Sequence, residues 1–252
     1  MNIYPSYKCN FQCKFCTFYK NNGKIIDLDW IENQFKQHKN LCTNINILGG
    51  EPSILPVDYQ NDLVDICIKY SGDKPYYITN LNIISPVLIK CKPIVSYDFG
   101  LRQNHKHVLN NILRLKNKFA ISTVLTSYLI EEVGPTKYLN FIRKLKNCIR
   151  ADLDIYYKQN NSQDDFTPNN NKLLDFISKV MDDQKVNLAP YSAMKTNIDA
   201  SINNISDYFA FFPDNKYGVR LNYKNGILKG VLSLESGQGQ TALAGCGTAS
   251  PK

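Results

Sequence analysis

An α/β fold built on a parallel sheet is what this sequence predicts, and two observations predict it. Short runs rich in β-branched and aromatic residues recur along the first 160 residues, and stretches with apolar residues at helical spacing separate them. That alternation marks βαβ units, whose right-handed crossovers lay strands side by side in parallel. A row of six such units curls toward a barrel or lies as an open twisted sheet, and periodicity alone leaves both open. A chain of 252 residues, 43% hydrophobic and 21% charged, has apolar material for one large domain or two small ones.

Taken in order, Asn2 to Tyr7 alternates apolar and polar residues and reads as the first strand. Asp29, with Glu32 three residues on, resembles a capping box, and Trp30, Ile31, Phe35 and His38 continue at helical spacing. Asn44 to Leu48 is the second strand, and Leu63, Val64, Ile66, Cys67 and Tyr70 mark the second helix. Tyr76 to Thr79 is a third strand, Pro86 to Lys90 a short helix, and Ile94 to Asp98 a fourth strand. Val108, Leu109, Ile112 and Leu115 lie on a longer helix, and Ala120 to Thr126 is the fifth strand. Pro135 suits the first turn of a helix carrying Tyr138, Phe141, Ile142 and Leu145. Leu153 to Tyr157 is the sixth strand. A polar linker, Gln159 to Asn171, contains Thr167-Pro168 as a cap and first turn for a helix through Leu173, Leu174, Ile177 and Val180. Val186 to Leu188 adds a short strand, and Asn225-Gly226 between apolar runs is a hairpin signal.

The chemistry concentrates in Cys9-Asn10-Phe11-Gln12-Cys13-Lys14-Phe15-Cys16. Three thiolates at this spacing converge on a soft metal centre, and thiolate selects zinc or an iron–sulfur cluster. With no fourth Cys or His close by, one coordination position is left for another ligand, which is what catalytic metal sites keep. The spacing, the aromatic Phe15 before the third cysteine and the later Gly49-Gly50-Glu51-Pro52 resemble the radical S-adenosylmethionine (radical SAM) superfamily. The resemblance implies a partial (β/α)6 TIM-like barrel with a short C-terminal β-hairpin extension. It also implies one [4Fe-4S] cluster on Cys9, Cys13 and Cys16, with S-adenosylmethionine (AdoMet) chelating the fourth iron. In that family the reduced cluster cleaves AdoMet to methionine and a 5′-deoxyadenosyl radical, which takes a hydrogen atom from substrate. The electron would come from a donor such as flavodoxin or ferredoxin.

Parallel α/β architectures place their sites at the carboxyl ends of strands. The cysteine loop follows strand one, Gly49-Gly50 strand two, Asn80 ends strand three and Asp98 strand four. Gly49 and Gly50 permit close approach of a ligand's amino group to main-chain carbonyls, and the family resemblance assigns this stretch, Glu51 and Pro52 included, to the methionyl amino group of AdoMet. Asn80 and Asp98 offer acceptors for its ribose or methionyl group, with strand-end capping as the plainer role. Thr123 and Thr126 are weaker candidates. Asp98-Phe99-Gly100 and Arg102 look like the strand-four region of peptide-modifying members. His105 and His107 are candidate acid/base groups or solvated helix-start residues, and Tyr156, Tyr157 and Tyr191 line a channel or simply pack.

Residues 1–160 form the expected core, 161–235 a helix and hairpin extension, and 236–252 a Gly/Ala/Ser-rich tail. The hairpin lacks the cysteines of the auxiliary-cluster (SPASM or twitch) extensions, so one cluster per chain is expected. Cys246, in the tail, is an incidental thiol, a hydrogen donor to a substrate radical, a redox group, or part of a segment of separate origin. Cys42, Cys67, Cys91 and Cys148 read as buried structural thiols. The substrate expected is a peptide or small molecule. The net charge of +8 leaves tRNA or nucleoside modification as an alternative, beside a non-catalytic cluster or AdoMet binder and a zinc module. No stretch is long and apolar enough to span a membrane, and with no secretory signal at the N-terminus a cytoplasmic location is expected.

Overall fold

The computed structural model describes residues 1–16, 23–39, 42, 44–156, 165–181 and 183, together with the backbone of strands 207–211, 218–224 and 227–232. Six parallel strands run in order: β1 (Asn2–Ile3), β2 (Asn46–Ile47), β3 (Tyr76–Thr79), β4 (Lys92–Ser96), β5 (Phe119–Leu125) and β6 (Cys148–Ile155). Each is joined to the next through α1 (Leu28–Gln37), α2 (Val57–Ser71), a 3-10 turn (Pro86–Lys90), α3 (His105–Arg114) and α4 (Gly134–Lys144), and α5 (Asn170–Met181) follows. The sheet does not close. Beyond β1 it continues with β7 (Asp207–Phe211), parallel to β1, and then the antiparallel pair β8 (Gly218–Lys224) and β9 (Ile227–Leu232). This is the partial (β/α)6 barrel with a C-terminal hairpin that the resemblance implied.

Strand alternation sorts the residues. In β3 and β4 every second side chain is buried, and Ile3, Ile47, Val95, Ile121 and Ala151, on five of the six parallel strands, are at 0% exposure. The helices cover that face with Ile31 and Phe35 of α1, Leu63, Val64 and Cys67 of α2, Val108 and Ile112 of α3, and Tyr138 and Ile142 of α4. Aromatic contacts tie the far helices down: Tyr97 stacks on Phe141 at 4.9 Å, and Tyr138 meets Phe176 of α5 at 5.9 Å.

Several boundaries differ from those expected. Helix α1 is capped by Asp27, which accepts from the Trp30 N–H at 2.9 Å, so Asp29 lies in the first turn. Helix α5 is capped by Asn169, which accepts from Asn171 and Lys172, rather than by Thr167. Strand β6 starts at Cys148, five residues before the expected Leu153. Its Arg150, Asp152 and Asp154 alternate with Ala151 and Leu153, and the charged face masked the period. Strand β7 was not anticipated. The hairpin turn Asn225-Gly226, the expected strand Val186–Leu188, Tyr157, Tyr191 and the tail with Cys246 lie outside the described residues. Among the described residues no helix is long and apolar enough to cross a membrane.

Candidate functional site

The three cysteines leave β1 on a loop that turns at Cys13–Cys16, where the Cys16 N–H donates to the Cys13 carbonyl at 3.0 Å. Cys13 is buried, and Cys9 and Cys16 are half-buried. The loop lies on the Gly49-Gly50-Glu51 stretch. Gly50 N–H donates to the Ser6 carbonyl at 3.0 Å and Glu51 N–H to the Lys8 carbonyl at 2.8 Å, extending the β1–β2 pairing up to Cys9. This approach is what requires glycine at position 50: a Cβ there would stand 2.1 Å from the Lys8 carbonyl oxygen. Gly49, at φ +133°, adopts a backbone conformation rare for other residues. Pro52 opens a buried 3-10 turn, Pro52–Ile54, immediately behind.

Glu51 is 2% exposed and fully engaged. Its carboxylate accepts from Ser53 N–H at 3.0 Å, Thr79 hydroxyl at 2.7 Å and Asn80 N–H at 2.6 Å, joining the end of β2 to the end of β3. Burial pushes its carboxyl above the ordinary range, while those hydrogen bonds pull it down. Asn80 is fastened on both sides. Its amide donates to Asn10 Oδ1 at 2.8 Å and lies 3.9 Å from Cys9 Sγ, and its oxygen accepts from Asn82 N–H at 2.9 Å. Asp98 accepts from Val124 N–H at 2.6 Å through one oxygen and ion-pairs with Arg102 through the other. The residues after Asn80 and Asp98, Leu81 and Phe99, both take positive φ (55° and 51°), so both strands leave the rim through strained, left-handed positions.

All of the proposed rim residues within the described chain therefore come together at the carboxyl ends of β1 to β4. Phe15 faces Phe166 edge-on at 6.4 Å, and Phe166 faces Tyr156 at 6.0 Å, an aromatic bridge from the cysteine loop to the end of β6. Thr123 and Thr126 are buried within the protein, Thr123 donating to the Tyr97 carbonyl. His107 meets the Asn82 carbonyl and the Asn111 amide, helping to hold the turn after Asn80. A cavity of about 560 Å³ lined by Tyr76, Lys92, Phe119 and Arg150 opens at the opposite ends of the strands. Cys67 and Cys91 are buried thiols and Cys42 likewise, while Cys148 is half-buried.

One contributor, Gln60, went unread in the sequence, and Arg102 was read there only as part of a strand-four resemblance, not for its contact. Gln60 of α2, 3% exposed, donates to the Leu55 carbonyl at 2.6 Å and accepts from the Tyr77 and Ser85 hydroxyls at 2.8 and 2.7 Å. It pins the segment behind Glu51. Arg102 reaches the Cys13 sulfur at 3.7 Å. A lone glutamine on a helix and a lone arginine on a loop carry no periodic signal, and the partners that give them their roles, Tyr77 and Ser85 for Gln60 and Cys13 for Arg102, are distant in sequence.

The donor set suits an iron–sulfur cluster. Three thiols share one short loop, and a guanidinium stands beside one of them to balance thiolate charge. Burial pushes the Cys13 thiol up to about 11 despite Arg102, and pushes Cys9 up as well, so a metal bound there would displace their protons. Among the described residues no three His, Cys, Asp or Glu side chains close around a single metal ion.

Residues 3–90 match the model of the Radical SAM superfamily. No curated protein matches the sequence. Among solved structures, Streptococcus suis SuiB bound to S-adenosylmethionine superposes at TM-score 0.61 with 19% identity, over 75% of this chain and 49% of SuiB. The chain thus spans about half the length of SuiB. Native anSMEcpe with bound AdoMet superposes at TM-score 0.67 with 15% identity, over 88% of this chain and 73% of that protein. Its complex with AdoMet and the Kp18Cys peptide gives 0.68 with 14% identity, over 88% and 73%. The family match over residues 3–90 thus takes in both the cysteine loop and Gly49-Gly50-Glu51, and the open six-stranded parallel sheet has the fold of these radical SAM structures.

Proposed function

We propose that this chain is a radical SAM enzyme that holds one [4Fe-4S] cluster on Cys9, Cys13 and Cys16 and acts on a peptide. The observation that carries this is the placement of the cysteine loop directly against Gly49-Gly50-Glu51 at the carboxyl ends of β1 and β2. When bound, such a cluster supplies a single electron to the sulfonium of AdoMet. The residues around it hold and shield. Gly50 lets the cysteine loop and the β2 end run in contact. Glu51, Thr79 and Asn80 lock the ends of β2 and β3 together, and Asn80 extends the lock to Asn10 beside Cys9.

The methionyl amino and carboxylate groups of AdoMet would lie against the Gly49–Pro52 stretch, with Asn80 and Asp98 shaping the wall for its ribose. Because Glu51 accepts from Asn80, and Asp98 is held by the Val124 N–H and Arg102, these side chains preorganise the rim. Phe15, Phe166 and Tyr156 keep water from one side of it. The peptide substrate is inferred from the Asp98–Arg102 stretch and from the peptide complex of anSMEcpe, which has the same fold. No particular contact favours nucleic acid over this. A low-potential donor such as flavodoxin or ferredoxin would supply the electron.

The test is anaerobic reconstitution of the chain with iron and sulfide, then dithionite and AdoMet, assayed for 5′-deoxyadenosine. Product from the wild type and none from Cys13→Ala is the expected result. A loaded, reducible cluster that never yields 5′-deoxyadenosine, with or without peptides, would leave a binder rather than an enzyme.

A further inference from the structure

The turn that ends β4 grips the cysteine loop at three points. The Gln12 N–H donates to Gln103 Oε1 at 3.0 Å, Arg102 Nη1 lies 3.7 Å from Cys13 Sγ, and the Arg102 guanidinium stands 5.3 Å from the Phe15 ring centre. Arg102 is itself fixed. Its Nε pairs with Asp98, which is in turn held by the Val124 N–H at 2.6 Å, and the two side chains are 16% and 2% exposed. The guanidinium therefore presents one edge to the carboxylate and another to the sulfur. Only arginine has a planar fork that serves two acceptors at once and keeps its charge at any working pH.

We propose that Arg102 is a positioning residue that sets the reduction potential of the cluster held by Cys13. The proposal rests on the radical SAM reading and adds to it a residue with a defined electrostatic task. One-electron reduction adds one negative charge to the cluster and its thiolates. A fixed cation hydrogen-bonded to a ligand sulfur, sheltered from water, favours the reduced form and raises the potential. Asp98 keeps that cation from swinging away and from being buried without a partner. The aromatic face of Phe15 beneath it adds a further constraint.

The experiment is a dye-mediated redox titration of the reconstituted full chain, followed by electron paramagnetic resonance, without AdoMet. Arg102→Gln and Arg102→Met, the second keeping an apolar stem over Phe15, are expected to shift the midpoint to more negative potential. Arg102→Lys, which retains the charge, is expected to stay nearer the wild type. Gln103→Ala removes a loop contact without removing charge and is expected to leave the potential unchanged. Both neutral variants titrating with the wild type would overturn the proposal. So would a Gln103→Ala shift as large as theirs, since loop loosening would then suffice. Neutral variants that fold by circular dichroism yet take up no cluster would overturn it too, and make Arg102 a clasp for the loop. A wild-type chain that loads no cluster is the separate failure of the radical SAM reading, seen before any variant is made.

Discussion

A carboxylate buried at the junction of two strands must find its donors inside the protein, and Glu51 finds three. Glu51→Gln turns one acceptor oxygen into a donor facing other donors. It is expected to cost roughly 1–3 kcal/mol, read as a lower urea midpoint with an unchanged slope. Asp152 supplies the pH dependence. Burial first, opposed by Arg150, raises its carboxyl above the ordinary range. The folded state thus binds that proton more tightly than the unfolded chain. Its contribution to stability is full below the ordinary aspartate range and is lost as pH rises through the raised folded value. Stability measured across weakly acidic pH should therefore fall more steeply in the wild type than in Asp152→Asn. Equal slopes would show that Asp152 titrates alike in both states.

At the scale of the element, two glycines separate close approach from backbone conformation. Gly50 has no space for a Cβ against the Lys8 carbonyl, whereas Gly72, the left-handed cap of α2 at φ +71°, has nothing within 4 Å of one. Gly72→Ala is expected to cost about 1 kcal/mol, the price of a left-handed residue. Gly50→Ala is expected to cost at least about 2 kcal/mol, because backbone must move, and to impair cluster loading with it. Thermal unfolding of the two variants side by side checks the order; a Gly50→Ala chain as stable as Gly72→Ala would mean the cysteine loop yields easily. Strands β1 and β2 are only two residues long, Asn2–Ile3 and Asn46–Ile47. Their extension through Gly50 and Glu51 is thus a large part of what holds the loop.

For the molecule as a whole, the sheet leaves one edge at β6 and carries its hairpin on the other, at β9. A single three-cysteine loop in this frame calls for about four irons per chain, measured by iron and sulfide analysis of the reconstituted protein. About eight would require a second cluster and sink the single-cluster reading.

What the sequence determined by itself was whatever depends on neighbours along the chain. The cysteine spacing, Gly49-Gly50-Glu51 and the strand–helix alternation are local patterns, and they led to the fold and to the rim. The ends of β6 and the caps Asp27 and Asn169 escaped because charged residues on one strand face hide a period of two, and because several Asp and Asn residues compete for each cap. How the rim residues are used became visible only in the folded chain. Glu51, Asn80 and Asp98 read as ligands-in-waiting along the chain, yet folding supplies each with protein partners from other strands. Strand β7 beside β1, Gln60 behind Glu51 and Arg102 against Cys13 were decided the same way. Apart from the short-range bond of Gln60 to Leu55, these contacts join residues from 17 to about 200 positions apart, and such contacts exist only once the chain has closed its loops and buried the groups that must then be paired.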